Sequence, residues 1–350
     1  MRLLNCILFF LLILFLTSCR TTMLFTTLDV LRPAQVEFAP EVDNLLIVNN
    51  SKVQPEDFGH SFRSFFLGEA PREFSVSTDS VALFALSALT EEIDNINFFS
   101  WTDLVLNSVN TNTDFSMINP LPRATVISLS RAHDADAILS LDHIIARSEI
   151  QEYFSNSWGF TALLDVRYES WWSIHYPNRP EVTALHFQDS LFWDSGWHHN
   201  RAQALEGLPN RHDALIDGAL FVGQNSVRRF LPFWERSDRF FYNPNNRLMK
   251  QAMDSVVVQN WEGALNLWRQ AFESTNNTRL RAEAANNIAI AYEILGNFDD
   301  ALKYAKISYE LFNSTVRTRE STLIRLSDYI QKLYRRQREI LLLNKQLGIF

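Results

Sequence analysis

The chain has 350 residues, of which 47% are hydrophobic and 13% aromatic, with 32 Lys and Arg set against 40 Asp and Glu. This apolar content is that of a globular chain rather than a disordered one. The net charge of −8 excludes the clustered cationic surface that nucleic-acid phosphates demand, and two cysteines are too few for a Cys-rich zinc site.

The first element is a leader. Arg2 precedes residues 3–16, an apolar run broken only by Asn5 and Cys6, and small residues follow. A basic start, an apolar centre and small residues mark a secretory signal, and the run is short for a bilayer span of about 20 residues. Leu16-Thr17-Ser18-Cys19 resembles the lipobox of bacterial lipoproteins, in which a branched residue and two small ones precede the acylated cysteine. The resemblance implies a signal peptide over residues 1–18, lipidation of Cys19 (diacylglycerol, with palmitate-type chains) and membrane attachment through that lipid. Cys6 leaves with the leader, so the mature chain has no disulfide and no free thiol nucleophile. Loss of Arg2 makes the mature chain one charge more acidic, which leaves anchoring to the acyl chains rather than to broad attraction for anionic lipid.

Residues 19–40 read as a tether, with two prolines and no clear period. Leu45-Leu46-Ile47-Val48 between asparagines reads as a buried strand. Thr78-Asp79-Ser80 ahead of Val81, Leu83, Phe84, Leu86, Leu89 and Ile93 predicts an amphipathic helix. Short extended pieces follow at residues 96–101 and 103–106. Pro122 opens a helix to His133, and residues 137–142 form a strand. Residues 164–175 alternate: Leu164, Val166, Tyr168, Trp172 and Ile174 point one way, while Asp165, Arg167, Glu169, Trp171, Ser173 and His175 point the other, which is expected to be the solvated face. Beyond the turn Pro177-Asn178-Arg179-Pro180, residues 182–193 make the second strand of an antiparallel hairpin, with Leu185, Phe187, Leu191 and Trp193 on one face. Residues 206–234 read as helix, broken near Pro232.

The last third repeats. Trp261-Glu262-Gly263-Ala264-Leu265 aligns with Phe298-Asp299-Asp300-Ala301-Leu302 at an offset of 37 residues. Ala252, Ala264, Ala271, Ala289, Ala301 and Ser308 fall where paired helices approach, and Tyr292 and Gly296 fit the same pattern. These residues resemble tetratricopeptide repeats, whose period is about 34 residues; Ser255 and Gln259 depart from the pattern in the first repeat. The resemblance implies a concave surface lined by Met249, Met253, Asn286, Ile290 and Glu293, open to a short segment of a partner or to an internal element. Residues 315–346 read as a helix capping the stack.

The expected fold is therefore α+β: an N-terminal α/β sandwich-like domain with an antiparallel hairpin over residues 41–240, then a C-terminal α-helical tetratricopeptide-like region over 241–350. The lipobox, the Trp-rich hairpin, the segment Pro232-Phe233-Trp234-Glu235-Arg236-Ser237-Asp238-Arg239-Phe240-Phe241-Tyr242 and the helical repeats together resemble a family of uncharacterised Bacteroidota lipoproteins, which implies architecture and no activity. Arg20 after the cysteine, with no acidic run following it, is the pattern of an outer-membrane lipoprotein facing the periplasm.

For function, the expectation is a non-enzymatic scaffold or binding module with a protein or peptide partner and no cofactor. There is no Gly-x-Ser-x-Gly elbow and no phosphate-cradling glycine loop in the sequence. His186, Asp189, Asp194, His198 and His199 are the densest polar cluster, but adjacent His198 and His199 point to opposite faces of a strand, so no metal site is expected. The alternative is a glycan-binding or glycan-processing envelope protein, with Trp171 as a stacking platform. Processing would need two carboxylates across the scissile bond; Asp165 and Glu169 stand roughly 13 Å apart along a strand, beyond either standard geometry.

Overall fold

The computed structural model describes residues 22–112, 114–315 and 318–349. The leader and Cys19 lie outside the described residues. The chain forms two compact units: one is Ala34–Leu231, and the other joins the residues before Ala34 to those from Pro232 onward.

Strand β1 (Thr22–Arg32) belongs to the second unit and is described with it. The first unit runs β2 (Asn44–Asn49), β3 (His60–Ser64), β4 (Arg72–Glu73), α1 (Val81–Ile96), β5 (Trp101–Val105), α2 (Arg123–His133), β6 (Ala137–Ser155), β7 (Gly159–His175), β8 (Val182–Asp194), α3 (Arg201–Glu206) and α4 (Arg211–Phe230). Its spine is the 19-residue β6, far longer than the strand read at residues 137–142. One edge of β6 pairs with β7 along its whole length, and β7 pairs in turn with β8, all antiparallel. The other edge is shared by two parallel partners, β2 against residues 137–141 and β3 against 148–152. In the gap between them the Gln54 side chain replaces a strand: its amide donates to the Ala146 carbonyl at 2.8 Å and accepts from the Ala146 N–H at 2.7 Å. Backbone groups inside a sheet need partners, and one side-chain amide satisfies both.

Leu45 to Val48 of β2 are wholly buried, as a parallel strand covered on both faces must be. Leu45 and Ile47 face α1 and α4; Leu46 and Val48 face α2. The α1–α4 approach is close because Gly223 lies over the Ala85 carbonyl, where a Cβ would come within 2.2 Å. The hairpin faces inward as its alternation predicts, with Leu164, Val166, Tyr168, Trp172 and Ile174 all buried, but the opposite face is not solvated throughout: Ser173 and His175 on it are buried as well. The helix read over residues 206–234 is α4, shorter at both ends: α3 stops where that reading began, and the chain turns extended before Trp234 because Pro232 cannot donate in a helix.

The second unit contains β1, β9 (Phe233–Asn243), α5 (Arg247–Val257), α6 (Trp261–Glu273), α7 (Thr278–Ile294), α8 (Phe298–Asn313) and α9 (Glu320–Gln346). Residues 22–32 are thus no tether: they pair antiparallel with β9 over eleven positions. Asparagine caps α5 to α8: Asn246, Asn260, Asn277 and Asn297 each accept from the backbone N–H three residues on, relieving donors that a helix start leaves unpaired. Ala252, Ala264, Ala271, Ala289, Ala301 and Ser308 are all buried between helices, and Gly296 takes φ +79° at the α7–α8 turn. Ala301→Leu should therefore overpack the stack and cost about 1–3 kcal/mol. An unchanged thermal midpoint would show that the α8 contact has room to spare.

Candidate functional site

The positions expected to line an open groove converge, but on the chain's own strand. Met249, Asn286, Ile290 and Glu293 are buried, and only Met253 is partly exposed. Strand β9 has two edges: one pairs with β1, and the other lies along α7. Asn287 accepts from the Tyr242 N–H at 2.9 Å and donates to the Tyr242 carbonyl at 2.8 Å, while Asn286 donates to the Phe240 carbonyl at 2.9 Å. Alternate side chains of β9 then enter opposite walls. Phe241 stacks on Trp268 (5.4 Å, 16°) beside Met249; Phe240 and Tyr242 join Phe312 and Leu326. Of the two occupants expected for the concave surface, a partner's segment or an internal element, it is the internal β9 that fills it, because a strand so rich in aromatics must bury both faces and the groove supplies the room.

Arg239, also on β9, enters the same wall. Its guanidinium grips the Glu293 carboxylate through two bonds of 2.5 and 2.7 Å, with both side chains almost wholly buried. The Tyr329 hydroxyl of α9 donates to the same carboxylate at 3.0 Å, and burial, together with that negative charge, pushes its pKa well above the ordinary value. Arg239, Asn287 and Tyr329 escaped the sequence reading. The available signal was the pair Asn286-Asn287 in mid-helix among alanines, since asparagine there is a weak helix former that bonds backbone instead.

In the first unit the outer face of the hairpin carries a row across three strands: His143, Trp171 and His186 are in register. His186 stacks on Trp171 at 4.5 Å and His143 lies at 5.3 Å, so this tryptophan is half-covered. Glu169 is bound to Arg147, and Asp165 to Arg167. The polar cluster is dispersed: Asp189 bonds Arg229 at 2.5 Å, and His198 lies 2.7 Å from the Ser195 carbonyl. Among the described residues, no group of three His, Cys, Asp or Glu is placed to hold a metal ion.

A family model described as a domain of unknown function (DUF8603) matches residues 42–242, more than half of the chain. The chain belongs to that family. A second model, also described as a domain of unknown function (DUF6340), matches residues 250–335. No curated protein matches. A solved structure titled "Crystal structure of uncharacterized protein" has 8% identity and a TM-score of 0.24, covering 55% of this chain and 96% of that one.

Within the DUF8603 region, the strand order β6–β2–β5 places a cleft at the carboxyl end of β2. The crossovers through α1 and α2 lie on opposite faces and diverge there, which is where open α/β sheets bind ligands. A cavity of about 140 Å³ is lined by Asn49, Ser51, Gln54 and Thr78 and by the start of α1. Those side chains already bond one another or nearby backbone: Asn49 accepts from the Ser51 hydroxyl at 2.7 Å and donates to the Leu106 carbonyl at 2.9 Å. They brace the loops of the cleft.

Beside it lies a buried polar network. Asp142 accepts from Asn50 (2.8 Å), Ser140 (2.8 Å) and Ser173 (2.5 Å), and His175 meets Ser140 at 3.1 Å. Burial raises the Asp142 pKa against the pull of those hydrogen bonds, and burial with Arg123 nearby lowers that of His175 to about 4. All four of Ser140, Asp142, Ser173 and His175 are closed off from solvent, so the set serves the sheet rather than a substrate. His60 and His143 are also held down to about 4, chiefly by burial. Unfolded histidine takes its proton near pH 6.5, so between pH 6.5 and 4 the unfolded state binds more protons. Stability is then full above that window and lost as pH falls through it, each histidine contributing at most about 3 kcal/mol. Urea midpoints at pH 7 and pH 4.5 should differ, and less so for His175→Asn; equal midpoints would contradict buried neutral histidines.

Proposed function

We propose that the protein is a membrane-anchored envelope lipoprotein, held by acylated Cys19 on the outer membrane facing the periplasm, that works without catalysis as a scaffold or binding module. Its C-terminal helices are read as tetratricopeptide-like. The observation that carries this reading is the grip of α7 on β9, in which asparagine amides bond the strand's backbone and a carboxylate takes its arginine. The amide bonds to backbone hold an extended segment whatever its sequence, as main-chain bonds do in strand addition, and the carboxylate adds a preference for arginine. Here the groove serves as a strut for its own strand, and the protein or peptide partner engages surfaces left exposed.

Two measurements test it. Mass spectrometry of the native N-terminus should find Cys19 as the first residue with two or three acyl chains, and Cys19→Ala should lose them; any other start refutes the anchor. Crosslinking in intact cells followed by pull-down should recover one protein reproducibly, and recovery of none would sink the scaffold reading.

Glycan binding is a second reading, favoured by Trp158 and Trp197, which are 67% and 50% exposed at one end of the hairpin, near the Phe160–His198 bridge. Trp171 is the poorer platform because His186 occupies its face. A saturable fluorescence change with envelope glycans, lost in Trp158→Ala, would favour this reading over the scaffold.

A further inference from the structure

The geometry points to a bilayer-docking site at the start of β1, in which a cavity of the C-terminal unit takes the headgroup of a zwitterionic phospholipid. The inference rests on the reading of Cys19 as the lipid-bearing residue, and three observations carry it further.

The first is reach. Cys19 lies three residues before Thr22, where β1 begins, and three residues of extended chain span at most about 11 Å. The ladder with β9 fixes β1 in its unit, so acyl chains on Cys19 would bring the membrane surface to within that distance of the strand's start.

The second is what the strand exposes there. Met23, Leu24 and Phe25 are 36%, 38% and 69% exposed, whereas Val30, nearer the other end, is buried. Met23 and Phe25 leave one side of the strand and Leu24 the other; a surface that receives the end of the strand covers all three. Apolar and aromatic side chains settle roughly 5–10 Å into the boundary of headgroups and acyl chains.

The third is charge. Beside Phe25 a cavity of about 190 Å³ is walled by Phe240 and Tyr329 and rimmed by Arg325, Lys332, Asp238 and Asp328. Arg325 lies over the Phe240 ring at 5.1 Å, with its guanidinium 2.9 Å from the Met23 sulfur. Arg239, at the back, is neutralised by Glu293. Two cations and two carboxylates at one aromatic-walled opening suit a ligand carrying both a phosphate and an ammonium. Arg325 and Lys332 would take the phosphate, and Asp238 and Asp328 the ammonium.

The test uses the full-length lipidated protein in vesicles of phosphatidylethanolamine and phosphatidylcholine, with a spin label at Met23→Cys or, in a second sample, at Asp29→Cys. Collision of the label with an aqueous nickel chelate is compared between vesicles and detergent micelles. At position 23 it should fall severalfold in vesicles and at position 29 stay the same. Arg325→Gln combined with Lys332→Gln should restore much of the collision rate at position 23 while the protein remains on the membrane. Equal accessibility at 23 and 29, with acylated Cys19 confirmed by mass, overturns the docking site and leaves the anchor standing. Equal protection in vesicles of phosphatidylglycerol alone overturns the zwitterion assignment. An N-terminus without lipid on Cys19 overturns the anchor, and the docking inference falls with it.

Discussion

Glu293→Ala is expected to destabilise the C-terminal unit by about 3–5 kcal/mol, the cost of leaving one member of a buried ion pair without its partner. The loss has two parts. Arg239 keeps the Ser237 hydroxyl and the Asp238 carbonyl as acceptors while remaining almost fully buried, and the Tyr329 hydroxyl loses the carboxylate to which it donates. Glu293→Gln retains the shape and one acceptor, so it should cost less. The pair as a whole is a different matter, since a buried ion pair repays its desolvation only partly. Arg239→Met combined with Glu293→Leu should therefore recover much of the loss. Chemical denaturation of the three variants, followed by circular dichroism, checks the order. A loss below about 1 kcal/mol for Glu293→Ala, the scale of an exposed pair, would mean that β9 does not sit in the groove as described.

Trp172→Ala should cost about 3–5 kcal/mol, the range for deleting a large buried aromatic, and Trp171→Ala less than half as much. The two neighbours differ because β7 alternates. Trp172 is 2% exposed, lies against Phe230 at 5.4 Å and donates its indole N–H to Ser170 at 2.9 Å. Its removal opens a cavity between the sheet and α4 that the close α1–α4 packing cannot easily collapse. Trp171 stands on the outer face, where His143 and His186 are its neighbours and water can replace it. The thermal midpoints of the two variants give the ranking directly, and a reversed order would place the register of β7 one residue off.

The two effects concern different units of the chain. Trp172 holds together the region that defines the family, whereas Glu293 holds β9 in a groove that would otherwise lie open. If that groove is a strut, weakening it should leave the first unit's melting transition in place while lowering the second. Two resolved transitions, of which Glu293→Ala moves one, would support that division.

By itself the amino-acid sequence determined the elements that depend on local pattern. The period-two alternation of residues 164–175 foretold the inward face of the hairpin, because burial there repeats at the backbone's own period, and the unbroken apolar run Leu45 to Val48 between asparagines announced a strand buried on both sides. The small residues at 252, 264, 271, 289, 301 and 308 likewise foretold close helix contacts. Only the tertiary structure decided what those elements meet. Nothing local in residues 22–32 shows that they pair with residues 233–243, some two hundred positions away, and the missing period that suggested a tether reflects a strand whose exposed start and buried end follow no single face. Asn286, Ile290 and Glu293 fall on one face of α7, yet what lies against that face is fixed by β9's need to satisfy its backbone edge and bury Phe240, Phe241 and Tyr242. Hydrogen-bond and burial demands of that kind are settled by distant segments, and a single sequence carries them only after the chain has closed upon itself.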